Sequence, residues 1–475
     1  MRGVNTWSFR PYRPALESID GTKASPLHIV RLAPSGTSLE LEWLDTSDSP
    51  KGEYTVCVKN AETGEEMRRT FTATRAAIDS LLMNCEYTVK VECDGICSAE
   101  RLFRTGYHPG LCVNYLHPND KIYAFSGLSL CSPSIVKHER DGYMLASMDV
   151  YAPGAPQNLT IVFRSDDSGK SWYYLCDIFP CFWGKLFCHR NEIYMLGTSN
   201  EYGDILIGRY DGDKSFCMPS VLFRGSCSRQ AAGNHHAPMP VVETAGRLWT
   251  AFEYGSWQVG GHCATMLSCG ADGDLLDAGN WTLAEATPYD PSWPGTVSGP
   301  SRGNIEGNAV IGPDGKLYNV MRYQTDNCEP SWGKALVYSV DTENPEAPLV
   351  FDRVIDFPGN LSKFEINYDE ITKRYWCILS RIYDPAKTGT RNVLSLAVSD
   401  NLFDWEVVCD LLDWRYDDPK MVGFQYVSFI FDGDDILYLC RTAVNNANNF
   451  HDANYSTLHR VKIQGREGGG DAATF

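Results

Sequence analysis

One pattern recurs six times between residues 132 and 441 of this chain: an apolar strand, a tight polar turn and a second apolar strand. The copies are SPSIVKHERDGYMLASMD (132–149), LFCHRNEIYMLGTS (186–199), APMPVVETAGRLWTAFE (237–253), EGNAVIGPDGKLYNVMR (306–322), KFEINYDEITKRYWCILSR (363–381) and QYVSFIFDGDDILYLCR (425–441). Self-similarity at such a period marks a repeat architecture. Most copies run on into a third strand, a turn and a fourth strand, as in TIVFRSDDSGKSWYYL and LSLAVSDNLFDWEVV. Each unit is then a four-stranded antiparallel meander of roughly 50 to 70 residues, too small to bury its own faces, and stacking round an axis solves that problem. The reading is an all-β, six-bladed β-propeller. The sixth copy supplies only STLHRVKI (456–463) beyond its hairpin, and KIYAF (121–125) is predicted to add the missing outer strand and so close the ring.

Composition agrees with a large folded chain of short elements. Of 475 residues, 43% are hydrophobic and 21% charged, and 41 Gly and 25 Pro are spread along the whole length. The net charge of −18 disfavours nucleic acid and anionic lipid as partners. An anionic small ligand is still compatible with that charge if a few arginines converge. No stretch near Met1 to Gly21 has a signal-peptide core, and no later stretch approaches a membrane span, so the chain reads as soluble and cytoplasmic as it stands. A secreted or periplasmic location follows instead if a leader has been removed. The 17 cysteines are irregularly spaced, and most read as small buried hydrophobes in a reducing compartment.

Residues 25–105 carry strand periodicity of their own: Leu39, Leu41 and Trp43, then Tyr54, Val56 and Val58, then Tyr87, Val89 and Val91. An early Trp, a Tyr midway and Leu82 shortly before Tyr87 resemble the fibronectin type III pattern, which implies a small β-sandwich with a corner hydrogen bond to that later Tyr. The expected organisation is an extension over 1–24, a fibronectin type III-like domain over 25–106, the propeller over 107–465 and a flexible tail over 466–475. Ser165, Asp167, Gly169, Ser171 and Trp172 match the Asp-box (also called the BNR repeat), a turn between outer strands of propeller blades, with degenerate versions at YDGDKSF and SDNLFDW. Its role is structural: the Asp closes the turn and the Trp packs between strands.

In a propeller the start of each first strand and the end of each second strand share one face. That face collects Ser132 and Asp149, Trp183 and Lys185, His235, His236 and Glu253, Glu306 and Arg322, Lys363 and Arg381, and Gln425, Tyr426 and Arg441. Singly each is an ordinary strand-end residue; together they are convergent polar groups in a concave centre. These positions resemble the sialidase superfamily. The resemblance implies a retaining glycoside hydrolase with Tyr426 as nucleophile, Glu306 as its helper, Asp149 as acid/base and Arg322 and Arg381 holding a sugar carboxylate. The family's first arginine sits in an R-I-P motif where this chain has Ser132, Pro133 and Ser134; Arg441 is a candidate to join the other two.

The residue types suit that chemistry. A neutral Tyr needs a carboxylate to draw off its proton, and arginine forks bind carboxylates through paired hydrogen bonds. A second chemistry starts from GNHHAP: His235, or His236 beside it, as the base of a polysaccharide lyase or rhamnosidase-type enzyme on uronate-containing glycans. A non-catalytic glycan-binding propeller is the third. Gln425 and Glu253, Trp183, and His451 of the HDANY loop are candidate substrate contacts; Trp257, Trp293 and Trp332 lie in long loops where either sugar stacking or loop packing is open. The partner is a glycan or oligosaccharide in each reading. No phosphate loop, dinucleotide fingerprint or metal-ligand spacing is present, so no obligatory cofactor is expected, and a structural calcium is left open.

Overall fold

A computed structural model describes residues 8–9, 25–47, 50, 52–463 and 465. The predicted tail, and the predicted extension apart from residues 8–9, lie outside the described residues. The described elements are strands in antiparallel sheets, with one short 3-10 turn at Ala278–Asn280. No helix among the described residues is long and apolar enough to cross a membrane.

Six sheets follow one another along the chain, here called A to F. Their first strands are Ser129–Lys137 (A), Phe182–His189 (B), Gly233–His235 with Val241–Thr244 (C), Gly303–Ile311 (D), Glu365–Asp369 (E) and Gly423–Asp432 (F). In sheets A, B, D and E the next three strands in sequence add side by side as a meander. The alternation of apolar and polar residues that defines each hairpin in the sequence is therefore realised as pairing. The first strand of sheet C is split in two where Pro238 and Pro240 withhold backbone donors.

A first strand has a bare hydrogen-bonding edge, and the structure satisfies that edge with side chains from the neighbouring sheet. Leu186 N–H donates to Ser134 Oγ at 2.9 Å, joining B to A. Gly307 N–H donates to Glu253 Oε1 at 3.0 Å, joining D to C, and Ile366 N–H donates to Asn308 Oδ1 at 2.9 Å, joining E to D. Phe429 N–H donates to Glu365 Oε1 at 3.1 Å, and Ile135 N–H to Ser428 Oγ at 3.4 Å, which links F to E and back to A. Sheets B and C meet through apolar packing of Phe187, Leu196, Leu248 and Phe252. Each sheet thus abuts the next, and the sixth abuts the first.

The fourth strand of sheet F is Leu111–Tyr115, paired with Tyr455–Lys462. The expectation that residues 121–125 fill this place is corrected: Ala124 N–H donates to Lys121 O at 3.0 Å and Ser126 N–H to Tyr123 O at 2.8 Å, so that segment is a turn. Leu111–Tyr115 is favoured because its other side is also held: Arg31 Nε donates to the Val113 carbonyl at 2.8 Å, and Arg31 is 4% exposed.

Arg31 belongs to the N-terminal part, where sheets of three and five strands lie between Leu27 and Arg104. Trp43, Tyr54, Val56, Val89 and Phe103 are buried in one apolar cluster, which continues into Tyr115, Phe424, Tyr438 and Tyr455 around sheet F. Leu82 N–H donates to the Tyr87 hydroxyl at 2.8 Å, so this Tyr makes a hydrogen bond of the kind the resemblance implied. A buried ion pair between Arg101 and Asp120 and a His117 to Glu86 contact at 2.8 Å tie the two parts together.

The turn 166–172 between the third and fourth strands of sheet A, where the match to the Asp-box pattern lies, is closed by side-chain hydrogen bonds. Asp167 accepts from Ser165 Oγ at 2.8 Å, from Ser171 N–H at 2.9 Å and from Ser171 Oγ at 2.6 Å. Trp172 is buried and donates Nε1–H to Gly169 O at 3.2 Å; Trp405 in the degenerate turn of sheet E does the same to Leu402 O at 2.8 Å. Of the cysteines, nine are buried and two, Cys97 and Cys227, are exposed.

Candidate functional site

Four of the first strands carry the same irregularity. The register shifts between Cys131 and Ser134, Phe182 and Lys185, Ile305 and Gly307, and Gln425 and Ser428. In each β-bulge one non-glycine residue takes a left-handed backbone: Ser132 at φ 48°, Trp183 at 52°, Glu306 at 55° and Tyr426 at 54°. Such a conformation is unfavourable for residues with a Cβ, and it re-aims the side chain off the strand's alternation. All four side chains line one central cavity of about 250 Å³, together with His235, Arg322, Arg391, Arg441, His451 and Trp257 among others.

Within it, Tyr426 and Glu306 meet from equivalent bulges of the first strands of sheets F and D. The Tyr426 hydroxyl donates to Glu306 Oε1 at 2.5 Å, and Arg322 Nη1 donates to Glu306 Oε2 at 2.7 Å. Burial and the Glu306 charge push the Tyr426 phenol up to about 12, against the pull of Arg322 and Arg391. Burial alone would raise the Glu306 carboxyl, but the Arg322 charge and the hydrogen bonds from Tyr426 and Arg322 bring it below its ordinary 4.5. The resting pair is therefore a protonated phenol beside an ionised carboxylate, with the proton already directed at its acceptor.

Three guanidinium groups surround this pair. Arg322 also donates from Nη2 to Leu361 O at 3.0 Å, and Arg391 donates from Nη2 to the same carbonyl at 3.2 Å and from Nη1 to Gln425 Oε1. Arg441 donates to the His451 carbonyl and lies 5.1 Å over the Tyr426 ring. Burial and the neighbouring charges of Arg322 and Arg441 lower the Arg391 guanidinium to about 10. Cations crowded like this in a chain of net charge −18 are a local inversion of the overall field, and a bound anion relieves it.

Two histidines face the cavity, each backed by a carboxylate. His235 Nδ1 and Glu253 Oε2 are 2.8 Å apart, which leaves Nε2 as the nitrogen for exchange with a ligand. Burial raises the Glu253 carboxyl, opposed by His235. His451 Nδ1 lies 2.9 Å from Asp452 Oδ1; burial and Arg441 lower its imidazole to about 4, so it is neutral near pH 7. Trp183 packs against His235 with ring centroids 4.4 Å apart.

The sequence-predicted residues divide accordingly. Tyr426, Glu306, His235, Arg322, Arg441, Trp183 and His451 line the cavity, as does Trp257. Gln425 and Glu253 do not line it but hold Arg391 and His235. Asp149 is fully buried beneath the sheet A bulge: it accepts from Trp183 N–H at 2.7 Å and pairs with Thr160 Oγ1 at 2.5 Å. Burial pushes its carboxyl up to about 8, and as a sealed, protonated group it supports Trp183 rather than meeting a ligand. His236 is buried against Phe252, ring centroids 4.1 Å apart, with Nδ1 on Ala251 O. Arg381 points away from the cavity, to Tyr383 at 2.7 Å and Asp410 at 3.4 Å. Trp293 is loop packing, stacked 4.5 Å from Phe351.

Arg391 is among the cavity residues that sequence reasoning missed, as are Tyr151, Gln157 and Glu201. It lies two residues before the third strand of sheet E, Val393–Ser399, outside the hairpin repeat that guided the search. The available signal was its place in the 381–392 connection, which ends on the same face as Tyr426.

No family model and no curated protein matches this chain. Solved structures do show similarity. The alpha-L-arabinanase of Penicillium chrysogenum complexed with arabinobiose is 12% identical at a TM-score of 0.48, over 74% of this chain and 97% of that one. The GH93 alpha-L-arabinofuranosidase of Fusarium graminearum with arabinobiose is 12% identical at 0.49, again over 74% and 97%. The GH43 endo-arabinanase of Bacillus licheniformis is 13% identical at 0.35, over 59% of this chain and 92% of that one. These are arabinan-type glycosidases by name, not sialidases, so an acidic-sugar reading rests on the charges of the cavity itself.

Proposed function

We propose that this protein is a retaining glycoside hydrolase that removes a terminal carboxylate-bearing sugar from a glycan. The six abutting sheets are read as the blades of a six-bladed propeller spanning 107–465, and the N-terminal sandwich as a fibronectin type III-like support for its closing blade. The observation that carries the catalytic reading is the Tyr426 hydroxyl donating to Glu306 at 2.5 Å, with Arg322 fixing the other carboxylate oxygen at 2.7 Å.

In the first step Tyr426 Oη attacks the anomeric carbon while its proton passes to Glu306. The glycosidic C–O bond breaks and the departing oxygen takes a proton from His235 Nε2. In the second step water gives a proton to His235 and attacks the anomeric carbon. The Tyr–carbon bond breaks, and the phenolate recovers its proton from Glu306. Attack by a phenol whose proton is leaving avoids bringing an anion up to a substrate carboxylate. That carboxylate fits the arginines at 322, 391 and 441, whose forks match its two oxygens. His235 takes the acid/base part because Asp149 is sealed off, whereas His235 lines the cavity and is oriented by Glu253.

The test is a panel of aryl glycosides of acidic and neutral sugars, with the anomer of the first-formed product read by NMR. Turnover of an acidic glycoside with retained configuration is expected. Turnover confined to neutral glycosides, inversion, or an ultraviolet band of an unsaturated uronate would each overturn the proposal.

A further inference from the structure

Arg381, absent from the central cavity, belongs to a second one. The 381–392 connection follows the second strand of sheet E, Arg374–Ser380, and the 414–422 connection leads into the first strand of sheet F. Both lie on the face that carries Tyr426. Between them is a groove of about 600 Å³ lined by Arg381, Tyr383, Arg415 and Tyr416, among others. The connections are joined by Trp414 N–H to Asn392 O at 3.0 Å and Phe424 N–H to Arg391 O at 2.7 Å. Arg391 itself enters the central cavity while its neighbours Thr390 and Asn392 line the groove, so the two spaces are separated by the width of one residue.

The groove's chemistry is unlike the cavity's. Arg381 and Arg415 lie 4.3 and 3.8 Å over the Tyr383 ring, and both are neutralised by Asp410 and Asp413. Lys387 is matched by Asp384 at 3.6 Å, which leaves Asp417 and Asp418 as surplus negative charge. Tyr416 is 96% exposed, an aromatic ring in water beside the Tyr383, Arg381 and Arg415 stack. An exposed aromatic face beside Asp and Arg side chains suits the C–H faces and hydroxyls of uncharged sugar rings, and the surplus negative charge disfavours acidic ones.

We infer that this groove binds the neutral part of the glycan whose acidic end occupies the central cavity, with Tyr416 as its stacking platform. This rests on the glycoside hydrolase reading of the cavity and adds to it the nature of the residues next to the cleaved one.

The test uses the full chain carrying Tyr426→Phe, run in native gels containing soluble galactan, xylan, mannan or mixed-linkage glucan, with polygalacturonate as the acidic comparison. At least one neutral polymer is expected to retard it. Adding Tyr416→Ala is expected to weaken that retardation by about three- to tenfold in dissociation constant, as loss of one aromatic stacking contact implies, while Tyr416→Trp preserves or strengthens it. No retardation by any neutral polymer, retardation by polygalacturonate alone, or an alanine variant that migrates like its parent would overturn the groove assignment. Turnover of acidic aryl glycosides is read separately on the unmodified chain. Its failure with groove binding intact refutes the catalytic reading alone, and the converse refutes the groove alone.

Discussion

Replacing Glu306 by Gln keeps the shape of the site and removes the base. With the Tyr426 phenol near 12, the phenolate fraction at pH 7 is about 10⁻⁵, so the unmodified enzyme depends on moving the proton to Glu306 during attack. Positioned general bases contribute about 10² to 10⁴ in rate, and Glu306→Gln is expected to lower kcat by that factor, or about 3 to 5.5 kcal/mol of barrier. The pH profile separates this from simple disruption. In the unmodified enzyme the Glu306 titration, which lies below 4.5, sets the acid limb, where the rate falls as the base is protonated, and the alkaline side follows the proton that His235 must deliver. In the variant a preformed phenolate is required, so the logarithm of its kcat relative to the unmodified enzyme, in which the shared need for the His235 proton cancels, rises by about one for each pH unit from neutrality upward. The rise ends earlier than about pH 12, because removing the Glu306 charge takes away a cause of the high phenol value while Arg322 and Arg391 continue to lower it. The assay is steady-state hydrolysis of an acidic aryl glycoside between pH 4 and 10, with phenolate absorbance of the variant titrated in parallel. A loss of less than tenfold, or a ratio of variant to unmodified kcat that is flat from pH 7 to 10, would refute Tyr426 as a nucleophile activated by Glu306.

Arg391→Met is expected to raise KM for acidic aryl glycosides by about ten- to a hundredfold, the worth of a charged hydrogen bond, with a much smaller effect on neutral ones; equal effects on both would remove Arg391 from carboxylate recognition. Asp149→Asn tests the sealed carboxyl. A folded-state value near 8 against 3.8 unfolded means the native protein holds a proton that the unfolded chain releases, so stability falls as pH rises from about 4 to 8. Asparagine carries no such proton, so the urea midpoint of the variant relative to the unmodified chain is expected to be higher at pH 8 than at pH 5; the same difference at both pH values would mean Asp149 is buried as a carboxylate.

The way the site was readable follows from how its residues are placed. Tyr426, Glu306, Arg322 and Arg441 stand at repeated positions of the hairpins, so knowing the repeat located them without knowing any contact. Arg381 stands at such a position too, yet the chain leaves the strand at Ser380 and its side chain turns to Asp410 on the outer strand Glu406–Asp413. Arg391 lies in a connection, where no periodicity predicts which way a side chain points. Asp149 shows the limit from the other side: the repeat placed it at the end of a second strand, but burial against the bulges of sheets A and B decided that it meets a backbone amide instead of solvent.

Strand periodicity, turn chemistry and the count of hairpins are local properties, set by which neighbouring residues are apolar and where Gly, Asp and Asn permit a turn, and the sequence alone determined these. Tertiary packing decided the rest. Whether Leu111–Tyr115 or residues 121–125 complete sheet F depends on Arg31 reaching across from the N-terminal sheets, a contact 82 residues long in sequence. The left-handed backbone at Ser132, Trp183, Glu306 and Tyr426 has no local signature, because a single strained residue is tolerated only where surrounding sheets hold it. The pairing of Tyr426 with Glu306 spans 120 residues, and the charge that makes it reactive exists only once burial has stripped the water from both.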